Sequence, residues 1–353
     1  MNAFGTGAEH TVVSAVPDEL GAARLIDPAL TVEFPGNFPP LSGRPGPSRL
    51  WALARAMQGF DLVLSYNWGA MDAVLAHTVL GERLGLPPLV HHEDGFNQDE
   101  IQRLKPARNW YRRIALYHAQ ALVVPSRQLE AIAREVWRQP RRRVHRIANG
   151  IPVADYGQPC APDALPRIIK RPGEKWLGTL AGLRAIKNLP RLVRAFAAMP
   201  DEWQLVILGE GPERDAIRHQ AIELGLGHRV HLPGFVAEPG KALGLFDLFA
   251  LSSDSEQFPI SVIEAMAAGL AVVSPSVGDV AAMVSDENLP WLAAPGDEAG
   301  LGAALAALAA DPATRAACGR ANRAKAQTEY DEAGMVAAYR AVYAGALGRG
   351  SFP

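Results

Sequence analysis

Residues 254–273 read Asp-Ser-Glu-Gln-Phe-Pro-Ile-Ser-Val-Ile-Glu-Ala-Met-Ala-Ala-Gly-Leu-Ala-Val-Val. The apolar run Phe246–Leu251 leads into this stretch and reads as a buried strand. Ile260–Ala268 reads as a helix, with Pro259 suited to its first turn and Gly269 to its stop. Val272 and Val273 open the next strand. Strand, loop, helix, strand is the repeating unit of an α/β fold. It places Glu256 on a loop at the carboxyl end of a strand, and Glu264 one to two turns into the following helix. Ligands bind at that edge of an open α/β sheet. A second reading stays open: Ser261-x-x-Glu264 has the form of a capping box, in which Glu264 only closes a helix.

The same alternation runs through the chain. Apolar runs at His10–Val16, Thr31–Phe34, Phe60–Tyr66, Pro88–His92, Ala121–Val124 and Val144–Ile147 predict strands in the first half. Trp176–Ala181, Gln204–Leu208, Arg229–Leu232, Phe246–Leu251, Ala271–Ser274 and Trp291–Ala293 predict them in the second. Residues 152–175 hold five prolines and little periodicity, and read as a linker. A length of 353 residues predicts two domains, over 1–155 and 170–332. Hydrophobic content of 48% and charged content of 20% are ordinary for a globular protein. Cys160 and Cys318 are isolated, against a disulfide framework or a cysteine metal site. No signal peptide and no apolar run long enough to span a bilayer can be read, which predicts a cytoplasmic location.

The Glu256–Glu264 spacing resembles the Glu-x7-Glu signature of retaining glycosyltransferases of family 4. The resemblance implies a GT-B fold: two Rossmann-like, doubly wound domains facing a central cleft, the donor on the second and the acceptor on the first. It also implies a helix over 333–350 that crosses back to the first domain. Glu256 would contact the donor sugar and Glu264 the ribose hydroxyls, where charge-assisted bonds are the strong ones. Gln257, Phe258, Pro259, Ile260 and Ser261 would line the donor, with free helix N–H groups for the diphosphate. The family commonly has Gly where Gln257 stands, and Gln does not reach positive φ cheaply.

Further segments resemble the family in order and spacing. Gly182-Leu183-Arg184-Ala185-Ile186-Lys187-Asn188 is similar to its Gly-Arg-Leu…Lys loop, so Arg184 and Lys187 would stabilise the departing diphosphate. Gly209-Glu210-Gly211-Pro212 would line the nucleotide end, and Phe235 and Val236 would meet the base. Ala148-Asn149-Gly150-Ile151 resembles the segment before the linker. No metal site is read, and the resemblance implies no cofactor, only a nucleotide-diphosphate sugar as donor. In the family, bond breaking leads and the acceptor attacks the same face, so no protein nucleophile is assigned.

In the first domain, Asn67, Trp68 and Gly69 follow one strand, and His91-His92-Glu93-Asp94-Gly95-Phe96 follow the next. Asp94 holds the position before the glycine where the family commonly has His, which implies acceptor contact or activation. Asn67, Trp68, Gly69, His92, Gly95 and Phe96 are the other acceptor-side candidates. Strand-end packing is the competing reading of His91 and His92. His91-His92-Glu93 is not read as a metal site, because adjacent strand residues face opposite sides. The amino terminus reads as lacking the family's first strand and glycine-rich loop. Asn2-Ala3-Phe4-Gly5 resembles the tail of the helix that would follow them.

Net charge is −2, yet residues 101–146 carry twelve Lys/Arg against two Glu, a local balance of +10. Arg103, Lys105, Arg108, Arg112, Arg113, Arg138 and Arg141–Arg143 are interleaved with Trp110, Tyr111 and Trp137. This window reads either as a solvated helical face or as a patch for anionic lipid or a lipid-pyrophosphate acceptor. No motif supports nucleic-acid binding. The expected protein is a retaining hexosyltransferase acting on a saccharide or lipid-linked acceptor in exopolysaccharide or cell-envelope synthesis, at the inner face of the membrane. A non-catalytic sugar-nucleotide-binding relative or partner subunit is the alternative.

Overall fold

All twelve apolar runs become strands: β1 (His10–Thr11), β2 (Val32–Glu33), β3 (Val63–Tyr66), β4 (Leu89–His92), β5 (Ala121–Val124), β6 (Val144–Arg146), β7 (Lys175–Leu180), β8 (Trp203–Leu208), β9 (Val230–Gly234), β10 (Leu248–Ala250), β11 (Val272–Pro275) and β12 (Leu292–Ala293). The structure, a computed structural model, describes residues 1–16, 20–96, 98–100 and 103–353. Two compact units emerge: Asn149–Met335, and Met1–Ala148 together with Val336–Pro353.

In the Asn149–Met335 unit six parallel strands lie in the order β12-β11-β10-β7-β8-β9. The chain winds outward from β7 to β9, returns to the other side of β7, and winds outward again from β10 to β12. Strand order therefore reverses between β7 and β10, the topological switch point of a doubly wound sheet. These strands are buried on both faces and read as continuous apolar runs, as parallel strands do. Gly178 in β7 makes room for a neighbour: a Cβ there would lie 1.9 Å from the Phe246 ring. Helices Leu189–Phe196 and Glu298–Ala310 bury their apolar sides on this sheet.

In the other unit, four parallel strands lie in the order β3-β4-β5-β6. β1 and β2 pair in a separate parallel sheet of two strands. Both are shorter than their apolar runs. The Ser14 hydroxyl bonds Val16 at 2.8 Å, bending the chain off the ladder, and Pro35 follows the second run. Phe4 packs edge-on against Tyr343 and Phe352. Helix Glu332–Ala346 begins in the first-described unit, and from Val336 onward it belongs to this one.

The basic window does not form one face. Arg112 is fully buried, with Nε 3.1 Å from Glu93 Oε2 and Nη2 3.2 Å from Glu100 Oε2. The rings of Trp68, Phe96 and Trp137 surround its guanidinium. Arg108 pairs with Asp99 and Glu100. Trp137 is fully buried, and Tyr111 donates to Asp72. These residues are structural, because a buried cation is tolerated only when paired. Ile101 and Gln102 of the window lie outside the described residues.

Candidate active site

Four loops at the carboxyl ends of β7, β8, β9 and β10 are stitched together by backbone bonds. Leu183 N–H donates to Glu210 O at 2.9 Å, and Gly209 N–H to Gly234 O at 2.9 Å. Asp254 N–H donates to Ile186 O at 2.9 Å. The first contacts need glycine: at Gly209 (φ +140) a Cβ would stand 1.9 Å from Ala181 O, and at Gly211 (φ +154) 2.5 Å from Leu183 O. Side chains add a clamp between the β7 and β10 loops. Asn188 Nδ2 reaches Asp254 at 3.2 Å, Arg191 pairs with the same carboxylate, and Ser252 Oγ donates to Lys187 O at 2.9 Å.

Within that frame Lys187 and Glu256 meet. Lys187 Nζ lies 2.6 Å from Glu256 Oε1, and Ser253 Oγ donates to the same oxygen at 2.6 Å. Both charged side chains are mostly buried, at 19% and 11% exposure. Gly278, on the loop after β11, holds the Glu256 loop from the other side. Its φ is +55, and a Cβ there would stand 2.4 Å from Glu256 O. Arg184 is exposed, its guanidinium folded back over Gly182.

Glu264 lies in helix Ile260–Ala267. The capping-box reading falls away: no side chain caps this helix, and the Glu264 carboxylate accepts from Tyr156 Oη at 3.0 Å. Burial raises the Glu264 pKa above its ordinary value, and the Tyr156 hydroxyl partly offsets that by stabilising the ionised form. The Tyr156 phenol is itself raised, by burial first and then by the Glu264 charge. The opening N–H groups of the helix, at Ile260 and Ser261, have no intrahelical acceptor and suit an anion. Phe258 turns inward, edge-on to Tyr330 at 5.7 Å, so its side chain is core while its carbonyl accepts from Asn149 Nδ2 at 3.4 Å. Pro259 is buried, Gln257 and Val236 are half-buried, and Phe235 is 64% exposed.

The first-unit candidates divide. Asn67 adopts φ 55, takes the Asp94 N–H on its Oδ1 at 2.8 Å, and donates its own N–H to His92 O at 2.7 Å. That exchange fixes the loops after β3 and β4 side by side, with Asn67, Gly69 and Asp94 exposed and Gly95 half-buried. Desolvation and then Glu93 repulsion raise the Asp94 pKa. His92 requires a correction. It is buried under Tyr66, with Nδ1 3.1 Å from Ser65 O and Nε2 3.0 Å from Tyr343 Oη. Burial lowers its pKa to about 4, so it is a neutral packing residue with both nitrogens engaged. Trp68 and Phe96 likewise serve the buried Arg112. His91 bonds Ser65 Oγ at 2.9 Å on the opposite side of the strand. Among the described residues no group of three His, Cys, Asp or Glu is placed to hold a metal ion.

Tyr156, Asn188, Arg191, Ser253, Asp254 and Gly278 were not legible as site residues. Only Gly278, a glycine between a strand and a helix, carries a local signal.

Two family models match the sequence, Glycosyltransferase Family 4 over residues 6–155 and Glycosyl transferases group 1 over residues 164–325. The chain is 23% identical to N-acetyl-alpha-D-glucosaminyl L-malate synthase of Bacillus anthracis, over 78% of this chain and 71% of that one. It is 27% identical to a GDP-mannose-dependent alpha-mannosyltransferase of Mycobacterium tuberculosis, over 77% and 72%. Its fold is similar to that of Anabaena Alr3699/HepE, solved in complex with UDP and glucose, with TM-score 0.71, 18% identity, and coverage of 95% and 98%.

Proposed function

Because the chain belongs to glycosyltransferase family 4, with its GT-B fold, we propose that it moves a hexose from a nucleotide-diphosphate sugar to a saccharide or lipid-linked acceptor with retention of anomeric configuration. That it is a glycosyltransferase follows from the family; donor, acceptor and stereochemistry are the proposal. One observation carries it. Lys187 and Glu256 meet where strand order reverses, the place at which open α/β sheets bind ligands.

Each group has a task there. Lys187 and Arg184 face the negative charge that develops as the nucleoside diphosphate departs, with no metal ion required in this reading. Glu256 orients the donor sugar. Glu264 accepts from the ribose hydroxyls, and the Gly209–Gly211 turn lets the backbone approach the nucleotide. Asp94 and Asn67 are the residues of the other unit that we assign to the acceptor. The leaving phosphate takes the acceptor proton, so no protein base is invoked. The UDP and glucose of the Anabaena structure and the GDP-mannose dependence of the mycobacterial relative support a nucleotide-sugar donor. The setting we assign is exopolysaccharide or other cell-envelope glycan synthesis.

A panel of radiolabelled UDP- and GDP-hexoses, scored for donor hydrolysis and for transfer to saccharide and lipid-linked acceptors, tests this reading. Product of retained anomeric configuration is expected from at least one donor. Nucleotide binding without turnover of any donor would favour a non-catalytic relative, and an inverted product would refute retention.

A further inference from the structure

Helix Pro106–Ala115 buries charge against the protein and leaves part of its apolar surface outside. Its charged residues Arg108 and Arg112 face the protein and are paired there, as described above. Its outward face carries Trp110 and Ile114, and Tyr117 continues the stripe in the following turn. These three side chains are 61%, 54% and 67% exposed. Their spacing is i, i+4, i+7, so they form one stripe roughly 10 Å long. An amphipathic helix normally buries its apolar side, and an exposed apolar stripe marks something that covers it.

The charges around the stripe identify the covering. Arg113 lies over the Trp110 ring at 5.0 Å. Arg143 donates to Tyr117 O at 2.5 Å, which sets the run Arg141–Arg143 beside the end of the stripe. Arg103, Arg113, Arg141 and Arg142 are all exposed, and among the described residues no carboxylate pairs with them. The acids nearest in sequence, Asp99 and Glu100, are already neutralised by Lys105, Arg108 and Arg112. Thr78 Oγ1 donates to Ala115 O, and the next residue, Val79, is 60% exposed. A second copy of the chain is a poor occupant, since a two-fold contact would set these arginines against their own counterparts. No described helix is long and apolar enough to cross a membrane. Trp110 and Tyr117 with Ile114 between them, and unpaired arginines beside them, suit the boundary between headgroups and acyl chains.

We propose that Trp110, Ile114 and Tyr117, flanked by Arg113, Arg141 and Arg142, dock the chain on an anionic lipid bilayer. The helix would lie in the interface plane, its aromatic rings at headgroup level and its guanidinium groups on lipid phosphates.

Flotation of the full chain tests this with vesicles of equimolar phosphatidylglycerol and phosphatidylcholine, and with phosphatidylcholine alone. The wild type should float with the anionic vesicles, less so as salt rises, and little with the neutral ones. Trp110→Ala with Ile114→Ala should lower the partition coefficient by at least about tenfold. Arg141→Gln with Arg142→Gln should lower it by at least about tenfold and flatten its salt dependence. Unchanged melting temperature checks that the variants are folded, as expected for exposed positions. Wild type that stays unbound with both vesicles overturns the proposal. So does full binding by both double variants, since the contact would then lie elsewhere. Absence of flotation together with a Trp110-dependent rise in mass in lipid-free solution would mark a protein-binding face instead.

Discussion

Lys187 Nζ stands 2.6 Å from Glu256 Oε1, and the two residues come from loops 69 positions apart in sequence. One loop follows β7 and the other follows β10, the neighbouring parallel strands between which the strand order reverses. An ammonium and a carboxylate, both mostly shielded from water, are therefore fixed at the crevice that the topology itself creates. On the proposed assignment, a diphosphate entering there would find a cation already desolvated, and a sugar hydroxyl would find a carboxylate already oriented by Ser253.

Glu264→Ala should weaken binding of the nucleoside diphosphate. On the proposed assignment two charge-assisted hydrogen bonds to ribose are lost, each worth roughly 1.5–3 kcal/mol net. A rise in Kd of at least about tenfold by isothermal titration calorimetry is expected, with kcat at saturating donor changed much less. Unchanged nucleotide affinity would remove Glu264 from the donor site.

Tyr156→Phe should shift the acid limb of nucleotide binding. Glu264 titrates above its ordinary value, and in the proposed ribose role it must be ionised, so affinity should fall as pH drops through that raised value. The Tyr156 hydroxyl favours the ionised carboxylate and holds the pKa down. Its loss should move the limb to higher pH and leave affinity at alkaline pH nearly unchanged. The same linkage acts on folding: ionised buried Glu264 costs stability above its folded pKa, a cost relieved as pH falls toward 4.5. Coincident binding profiles for the two proteins would show that the phenol does not tune Glu264.

Gly278→Ala should reduce transfer without touching a ligand. Its positive φ and the 2.4 Å approach to Glu256 O force either the Gly278 loop or the Glu256 loop to move. Turnover should fall by at least about tenfold, since an ångström of displacement at a reacting group costs up to about a hundredfold. Stability should fall by roughly 1–3 kcal/mol by chemical denaturation. Normal turnover in a variant destabilised to that extent would separate the loop from function.

His92→Gln should flatten the acid dependence of stability. The folded pKa is lowered to about 4 from 6.5, so the unfolded chain takes up a proton first as pH falls. Stability is fully present above 6.5 and is lost progressively down to about 4, by about 3 kcal/mol in all. His10, His77, His145 and His231 are lowered in the same direction, so the informative quantity is the wild-type minus variant difference across that window. A difference independent of pH would mean that His92 is not held neutral.

The α/β repeat and the β7 and β10 loops could be read from the chain because their signals are local. Apolar runs mark buried parallel strands, and Pro259 and Gly269 punctuate the helix between them. Tyr156 could not be read in the same way. It sits in a proline-rich connection 108 residues from Glu264, and only folding makes them partners. The need for glycine at 278 likewise depends on the backbone of a different loop. Arg112 misled in the opposite direction. A charged residue in a basic run is normally solvated, and nothing local announced that Glu93, Glu100 and three aromatic rings would enclose it.

Transfer of labelled hexose by Glu256→Ala, measured beside its affinity for the nucleoside diphosphate, tests the central claim most directly. With Glu256 orienting the sugar beside Lys187, kcat should fall by at least about a hundredfold while the nucleotide Kd stays within about threefold of wild type. Wild-type turnover by this variant would contradict the assignment of the β7–β10 crevice as the donor site.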